Sequence, residues 1–357
     1  YQKLFDALER LGACQKAYVF VDRSHNVGGE IPHYVDVARC YNGWDRLIFH
    51  HKHLKVLKDI LCRVRITDYE VVHAHSLFSN GYIAHRLKQE YGIPYVVAVR
   101  STDVNLFFKR MLHLRGLGLA ILRAASAIVF ISRPYMNETI ESLVPLQEQD
   151  QIRNKSIVLP NGIDRFWLAH RYQERHRRKG NDIRILYVGQ VNSRKNIETT
   201  ARACELLLRQ GYNVKYTVVG KIMGRRYRSL IERSSFVDYR PHCGMSDLLR
   251  YYRRADLFVM PSRYETFGLV YAEAMSQGLP VLYTRRQGFD GQFAEGEVGY
   301  SVRHNSPEEI AERVKDVLEN YDAISATCVK ESLRFDWDRI APKYMMLYQQ
   351  VCCGERS

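Results

Sequence analysis

No run of about 18 apolar residues occurs in the sequence, so a membrane-spanning helix is not expected. The longest candidate, LGLAILRAASAIVFIS, is broken by Arg123 and reads as a helix end followed by a strand. No signal peptide is visible, although the chain opens at Tyr1 rather than Met. The eight cysteines are scattered apart from Cys352–Cys353, and no CxxC pair occurs. Neither a zinc site nor a disulfide framework is expected, and the thiols read as reduced, cytosolic ones. A compact basic block is also lacking. The excess of 53 Lys+Arg over 39 Asp+Glu, a net charge of +14, is spread over FHHKHLKVLKDILCRVR, FFKRMLHLR, RYQERHRRKG and GKIMGRRYRSLIER. Such a surface attracts phosphates, nucleic acid or an anionic bilayer. None of these segments is interleaved with aromatics as in a nucleic-acid motif, so no nucleic acid is expected as partner. A solvated basic face or attraction to an anionic membrane surface is the reading that remains.

What is present is an alternation of short apolar runs and amphipathic stretches. With 357 residues, 46% of them hydrophobic, the chain can build two cores. Strands are expected at 17–21, 46–49, 71–74, 95–99, 127–131 and 156–160. A second series is expected at 184–189, 215–220, 237–241, 257–261, 281–284 and 299–302. Continuously apolar strands between helical segments imply an α/β protein with parallel sheets covered on both faces. A Pro-Asn-Gly turn at 160–162 and the polar run RYQERHRRKGNDIR divide the chain in two. Two Rossmann-like, doubly wound domains facing a cleft follow, with ligands outside the carboxyl ends of the strands.

Chemistry-bearing residues lie after those strands. In SRYETFGLVYAEAMSQGLP, Thr266 is the expected N-cap of a helix that runs through Met275 and stops at Gly278 and Pro280. The amides of Phe267, Gly268 and Leu269 then form an anion site at a helix N-terminus. Glu265 stands just before the helix and Glu273 two turns into it; alone, such a pair reads as a loop acid and a solvated helix residue. After the strand RILYVG, Gly189-Gln-Val-Asn-Ser-Arg-Lys presents Arg194 and Lys195 to a diphosphate. In VVHAHS, His73 reads as buried and hydrogen-bonded and His75 as facing the cleft; no third ligand nearby suggests a metal. The run His50-His51-Lys52-His53 reads as a solvated loop.

Together these motifs resemble the retaining glycosyltransferase family 4, of GT-B fold. ETFGLVYAE is similar to the family's E-x7-E motif and VVHAH to its first-domain histidine motif. VAVRSTDVN fills the place of its H-G-x-D segment, LPNGID its interdomain crossing and YVGQVNSRKN its phosphate loop. FDWDRIAPKYMMLYQQV resembles the last helix, which in the family crosses back onto the first domain. The resemblance therefore implies a first, acceptor-side domain of residues 1–162 plus 339–357 and a nucleotide-sugar domain of 163–338. It implies that Glu273 binds ribose hydroxyls, that Glu265 bonds the donor sugar, and that Thr266 to Leu269 and Gly189 adjoin the phosphate or sugar. Arg194 and Lys195 would neutralise the leaving diphosphate, and His75 and Asp103 would line the first-domain side. The implied reaction retains anomeric configuration, with the leaving phosphate helping to deprotonate the acceptor and no metal or other cofactor.

Three departures stand out. Gln190 occupies the place of the family's usual arginine, and Arg100-Ser101 that of its His-Gly. The family's first strand and glycine-rich loop have no match, because YQKLFDALERLG reads as the helix after them; the first sheet is expected to have a gap. Asp336-Trp337-Asp338 has a metal-binding D-x-D form, but its place at a helix start makes Asp336 an N-cap. The expected activity is transfer of a sugar from a nucleotide-sugar to a glycan or lipid-linked acceptor in envelope or capsular polysaccharide synthesis. The expected setting is the cytoplasm, peripherally on the inner face of the plasma membrane. The rivals are a nucleotide-sugar epimerase of the same fold and an impaired, binding-only protein.

Overall fold

Eleven of the twelve apolar runs are strands in the computed structural model, which describes residues 1–26, 28–172, 175–176 and 180–354. The strands are β1 (Ala17–Asp22), β2 (Val35–Tyr41), β3 (Val72–Ala74), β4 (Tyr95–Ala98), β5 (Ala127–Phe130) and β6 (Ser156–Val158). They continue as β7 (Asp182–Val188), β8 (Asn213–Val219), β9 (Val237–Arg240), β10 (Leu257–Val259), β11 (Val281–Thr284) and β12 (Gly299–Val302).

The run at 46–49 is the exception. It is the end of a tight 3-10 turn, Gly43–Leu47, and the start of the helix Phe49–Arg63; the strand lies earlier, at β2. Asn42 and Asp45 close a capping box there, which ends the strand before the apolar run begins. The His50–His53 run is therefore helical, not a loop. Phe49, His53, Val56, Leu57 and Ile60 recur at helical spacing on its buried face.

Two units result. The first holds Tyr1–Phe130, Met136–Leu159 and the chain from Ala341; the second holds Ile131–Tyr135 and Pro160–Ile340. The boundaries thus fall at 159/160 and 340/341 rather than 162/163 and 338/339, and residues 131–135 join the second unit. Three contacts explain the placement. Ser132 Oγ donates to the Thr266 carbonyl at 2.9 Å, Ile163 N–H donates to the Phe335 carbonyl at 2.9 Å, and Trp337 covers Gly162. A Cβ on Gly162 would lie 2.7 Å from that indole, so only glycine fits the turn.

In the second unit six parallel strands run in the order β12-β11-β10-β7-β8-β9. The chain leaves β7 outward through β8 and β9, then returns to β10 on the other side. The winding reverses between β7 and β10, which pair through Leu257↔Ile185 and Phe258↔Leu186. Loops following those two strands flank a topological switch point, where doubly wound sheets bind ligands. Buried aliphatic and aromatic side chains such as Ile185, Tyr216, Phe258 and Leu282 cover the sheet.

The first unit has four parallel strands in the order β3-β4-β5-β6 and a separate parallel pair, β1-β2. Between β1 and β3 lies a cavity of about 1090 Å³, lined by the consecutive residues Ala17 to Val21 and Val71 to Ser76. Neighbours in sequence point to opposite faces of a strand, so both strands turn their edges to the cavity. The sheet is interrupted there, as the sequence implied. Asp336, in the second unit, accepts the Asp338 amide on its Oδ1 at 3.0 Å, capping the helix Trp337–Gly354. From Ala341 that helix packs in the first unit, where Tyr344 stacks on His73 at 5.5 Å between centroids.

Candidate active site

The turn after β10 departs from expectation in one detail. The helix begins at Leu269, not after Thr266, and Gly268 stands at its N-cap with φ 84°. Residues 262–267 are held out of the helix by a neighbouring loop. Glu265 N–H donates to Gln287 Oε1 and Gly288 N–H to the Glu265 carbonyl, each at 2.8 Å. A Cβ on Gly288 would stand 2.2 Å from the Thr266 carbonyl, so the loop can approach only as glycine. Gly268 is required twice over, by its left-handed φ and because a Cβ would reach within 2.5 Å of the Tyr271 ring. Tyr271 N–H already donates to the Gly268 carbonyl at 3.0 Å. The first-turn amides at the helix N-terminus are those of Leu269 and Val270, because the N-cap lies two residues beyond the expected Thr266.

Across the switch point, β7 is followed by Gly189 and β8 by Gly220. A Cβ on Gly220 would sit 1.9 Å from the Gly189 carbonyl oxygen, at φ 146°. The ladder continues through them: Gly189 N–H donates to Val219 and Val191 N–H to Lys221. Tyr187 hydroxyl donates to the Gln190 carbonyl at 2.8 Å, fixing the loop at the residue that departs from the family. Asn196 then caps the next helix in the left-handed region, φ 56°, fully buried. Its Nδ2 donates to the carbonyls of Pro261 at 2.9 Å and His304 at 2.6 Å.

This latch sets Lys195 beside Glu265. Lys195 Nζ donates to Glu265 Oε2 in an ion pair whose side chains are 13% and 9% exposed. Glu265 is thus a buried, paired loop acid and not a solvated surface one. Arg194 is exposed beside the pair, its carbonyl accepting the Arg263 amide at 2.8 Å. An ammonium so placed, next to an anion-binding helix start, is suited to a diphosphate.

Glu273 is separate from that pair. Tyr252 hydroxyl donates to its Oε2 at 3.2 Å, and Trp167 adds a second bond. Burial raises the carboxyl above its ordinary value, and the Tyr252 and Trp167 bonds oppose the rise. Sequence reasoning named neither Tyr252 nor Trp167 nor Asn196. For Asn196 a signal existed, an asparagine between Lys195 and a helix, since Asn tolerates the left-handed region.

The remaining expected residues lie in the first unit. His73 Nδ1 bonds the Tyr348 hydroxyl at 2.7 Å, and burial, with Arg100 second, pushes its pKa down to about 3. His75 stacks on His73 at 4.0 Å, meets Tyr1 and Phe5, and lines the cavity. Burial first, then His73 and Arg100, holds it well below its ordinary value, so it is neutral. Asp103 is 1% exposed, and its oxygens accept the amides of Leu77 (3.0 Å), Phe78 (3.1 Å) and Arg100 (2.8 Å). Those bonds tie the loop after β3 to the loop after β4.

Residues 170–332 match the model of glycosyl transferases group 1, and residues 8–165 that of glycosyltransferase family 4. The chain belongs to glycosyltransferase family 4. Glycogen synthase of Mycobacterium tuberculosis is 28% identical over 309 residues, 81% of this chain and 70% of that protein. Sucrose-phosphate synthase of Thermosynechococcus elongatus superposes with a TM-score of 0.74 at 20% identity, over 99% of this chain and 92% of that one. HepE of Anabaena, solved in complex with UDP, superposes with a TM-score of 0.65 at 15% identity, over 94% and 100%. These likenesses establish the GT-B fold, and the family makes the chain a glycosyltransferase.

Proposed function

We propose that the protein is a retaining, metal-independent glycosyltransferase that moves a sugar from a nucleotide-sugar to a glycan or lipid-linked acceptor. The observation that carries this reading is the Lys195–Glu265 pair, set across the β7/β10 switch point by the Asn196 latch. In it Glu273 holds the ribose of the donor. Glu265 bonds the donor sugar, and Lys195 and Arg194, with the helix start at Leu269, take up charge on the departing diphosphate. No carboxylate is then asked to act as a nucleophile. The leaving phosphate accepts the proton of the acceptor hydroxyl on the same face, so configuration is retained. Neutral His75 suits a hydrogen-bonding role toward the sugars. The setting proposed is envelope or capsular polysaccharide assembly in the cytoplasm, peripherally at the inner face of the plasma membrane.

The test is acceptor dependence. The full chain is incubated with radiolabelled UDP-, GDP- or ADP-sugars in EDTA, with and without extracted lipid-linked glycans. Label passing to the acceptor from one donor class, with the anomeric configuration kept by NMR, is the expected result. Conversion of free donor without acceptor would identify an epimerase instead. Donor binding without turnover would leave the binding-only reading that Gln190 favours.

A further inference from the structure

The 3-10 turn Gly43–Leu47 and the helix start after it expose large apolar side chains that their own construction does not require. Trp44 is 83% exposed, Leu47 75% and Ile48 62%. The turn is built firmly: Asp45 accepts the Asn42 amide and two bonds from Lys55 Nζ, at 2.8 and 2.9 Å, and His51 lies 3.2 Å away. These apolar groups are therefore held outward rather than left on a loose end. A second segment joins them. Phe107, in the turn Asp103–Phe108, meets Phe49 at 5.9 Å between ring centroids, and Leu106 and the 58% exposed Leu112 flank it.

Charge accompanies the apolar groups. Residues 42–58 and 105–115 carry seven Lys and Arg against one acid, Asp45, to which Lys55 is bonded; Asp22, 3.9 Å from Arg46, and Glu138, 3.6 Å from Lys109, are further acids that face them. A contiguous exposed apolar patch on a soluble surface marks an interaction site. The core of a protein–protein interface is depleted of lysine, and the segments here are lysine-rich. An exposed tryptophan with exposed leucines and cations in the same segments matches the boundary of an anionic bilayer.

We propose that this face of the first unit docks on an anionic lipid surface, with Trp44, Leu47 and Ile48 entering the headgroup boundary. Arg46, Lys58, Lys109 and Arg110 meet the lipid phosphates. The inference deepens the lipid-linked acceptor reading and rests on it only for its purpose, since docking itself needs no sugar chemistry.

Co-sedimentation of the full chain with phosphatidylcholine vesicles, with and without phosphatidylglycerol, tests it. Binding is expected only to the anionic vesicles and should fall with added salt. The variant W44S/L47S/I48S should lose about tenfold or more of its partitioning, from the lost apolar burial. The variant K58Q/K109Q/R110Q should lose at least about tenfold on anionic vesicles. R225Q/R226Q/R228Q, on a basic helix of the second unit, should bind as the parent does. Undiminished binding by W44S/L47S/I48S, or no binding to anionic vesicles, would overturn the proposal. So would parent self-association that W44S/L47S/I48S abolishes, which would make the occupant a second copy. Nucleotide-sugar binding without vesicles reads the catalytic proposal separately.

Discussion

In the second unit the sheet runs unbroken through six strands, and the candidate donor-site groups stand on the loops after its strands and on the helix Leu269–Ser276. In the first unit the sheet is parted by a cavity between β1 and β3, and its candidate groups, His73 and His75, line that gap. The ion pair of the second unit is held ready by neutralising its own charges. The histidines of the first are kept neutral chiefly by burial, with Arg100 adding to it. One unit is organised around charge that waits for an anion; the other around uncharged imidazoles.

The largest effect expected from breaking this contrast is in Glu265→Ala. It removes the sugar contact and frees Lys195 from its partner, so kcat should fall by about 10²–10³ in a transfer assay, with donor KM changed far less. Glu273→Ala should instead weaken donor binding by about 10- to 100-fold, as loss of a charge-assisted bond does, seen by titration calorimetry. Gly220→Ala forces a Cβ onto the Gly189 carbonyl and should cost at least about 2 kcal/mol in denaturant unfolding of the second unit.

Acid should separate the units more gently. Unfolded histidine takes up a proton near 6.5, whereas folded His73 waits until about 3 and His53 until about 4. Between those values the unfolded state binds more protons. The contribution is thus complete above about 6.5 and is lost as pH falls, by up to about 1.4 kcal/mol per pH unit for each histidine. Glu273 has the opposite sign: its raised carboxyl makes the second unit gain stability as pH falls through its folded value. Hydrogen exchange at neutral pH and at about pH 5 should show the first unit opening sooner in acid, and His73→Phe should flatten the slope. The smallest effect is expected from EDTA, which should leave the transfer rate unchanged.

Most of this architecture was legible because parallel, doubly covered strands are continuous apolar runs, and eleven of them stand where they were read. The run at 46–49 misled because Leu47 and Ile48 face outward from a capped turn while Phe49 turns inward, and periodicity carries no sign of which side is solvent. At the site, Glu265, Lys195 and Gly189 were legible as residues after strands at a switch point. Their pairing was not, since 70 residues separate Lys195 from Glu265 and only the return of β10 beside β7 unites them. Helix onset at Leu269 was hidden for a similar reason: Gln287 and Gly288, from another loop, hold the preceding backbone. Asp103 was read as a contact residue, yet three backbone amides occupy its oxygens, a demand no side-chain pattern announces.

The central claim is that the second unit holds a nucleotide-sugar through Glu273 beside a preset Lys195–Glu265 pair. Calorimetric titration of the full chain and of Glu273→Ala with UDP-, GDP- and ADP-glucose tests it most directly. The account predicts that one class binds the parent, with or without EDTA, and binds the variant at least about tenfold more weakly. Equal affinity for the variant, or no binding of any class to the parent, would contradict it.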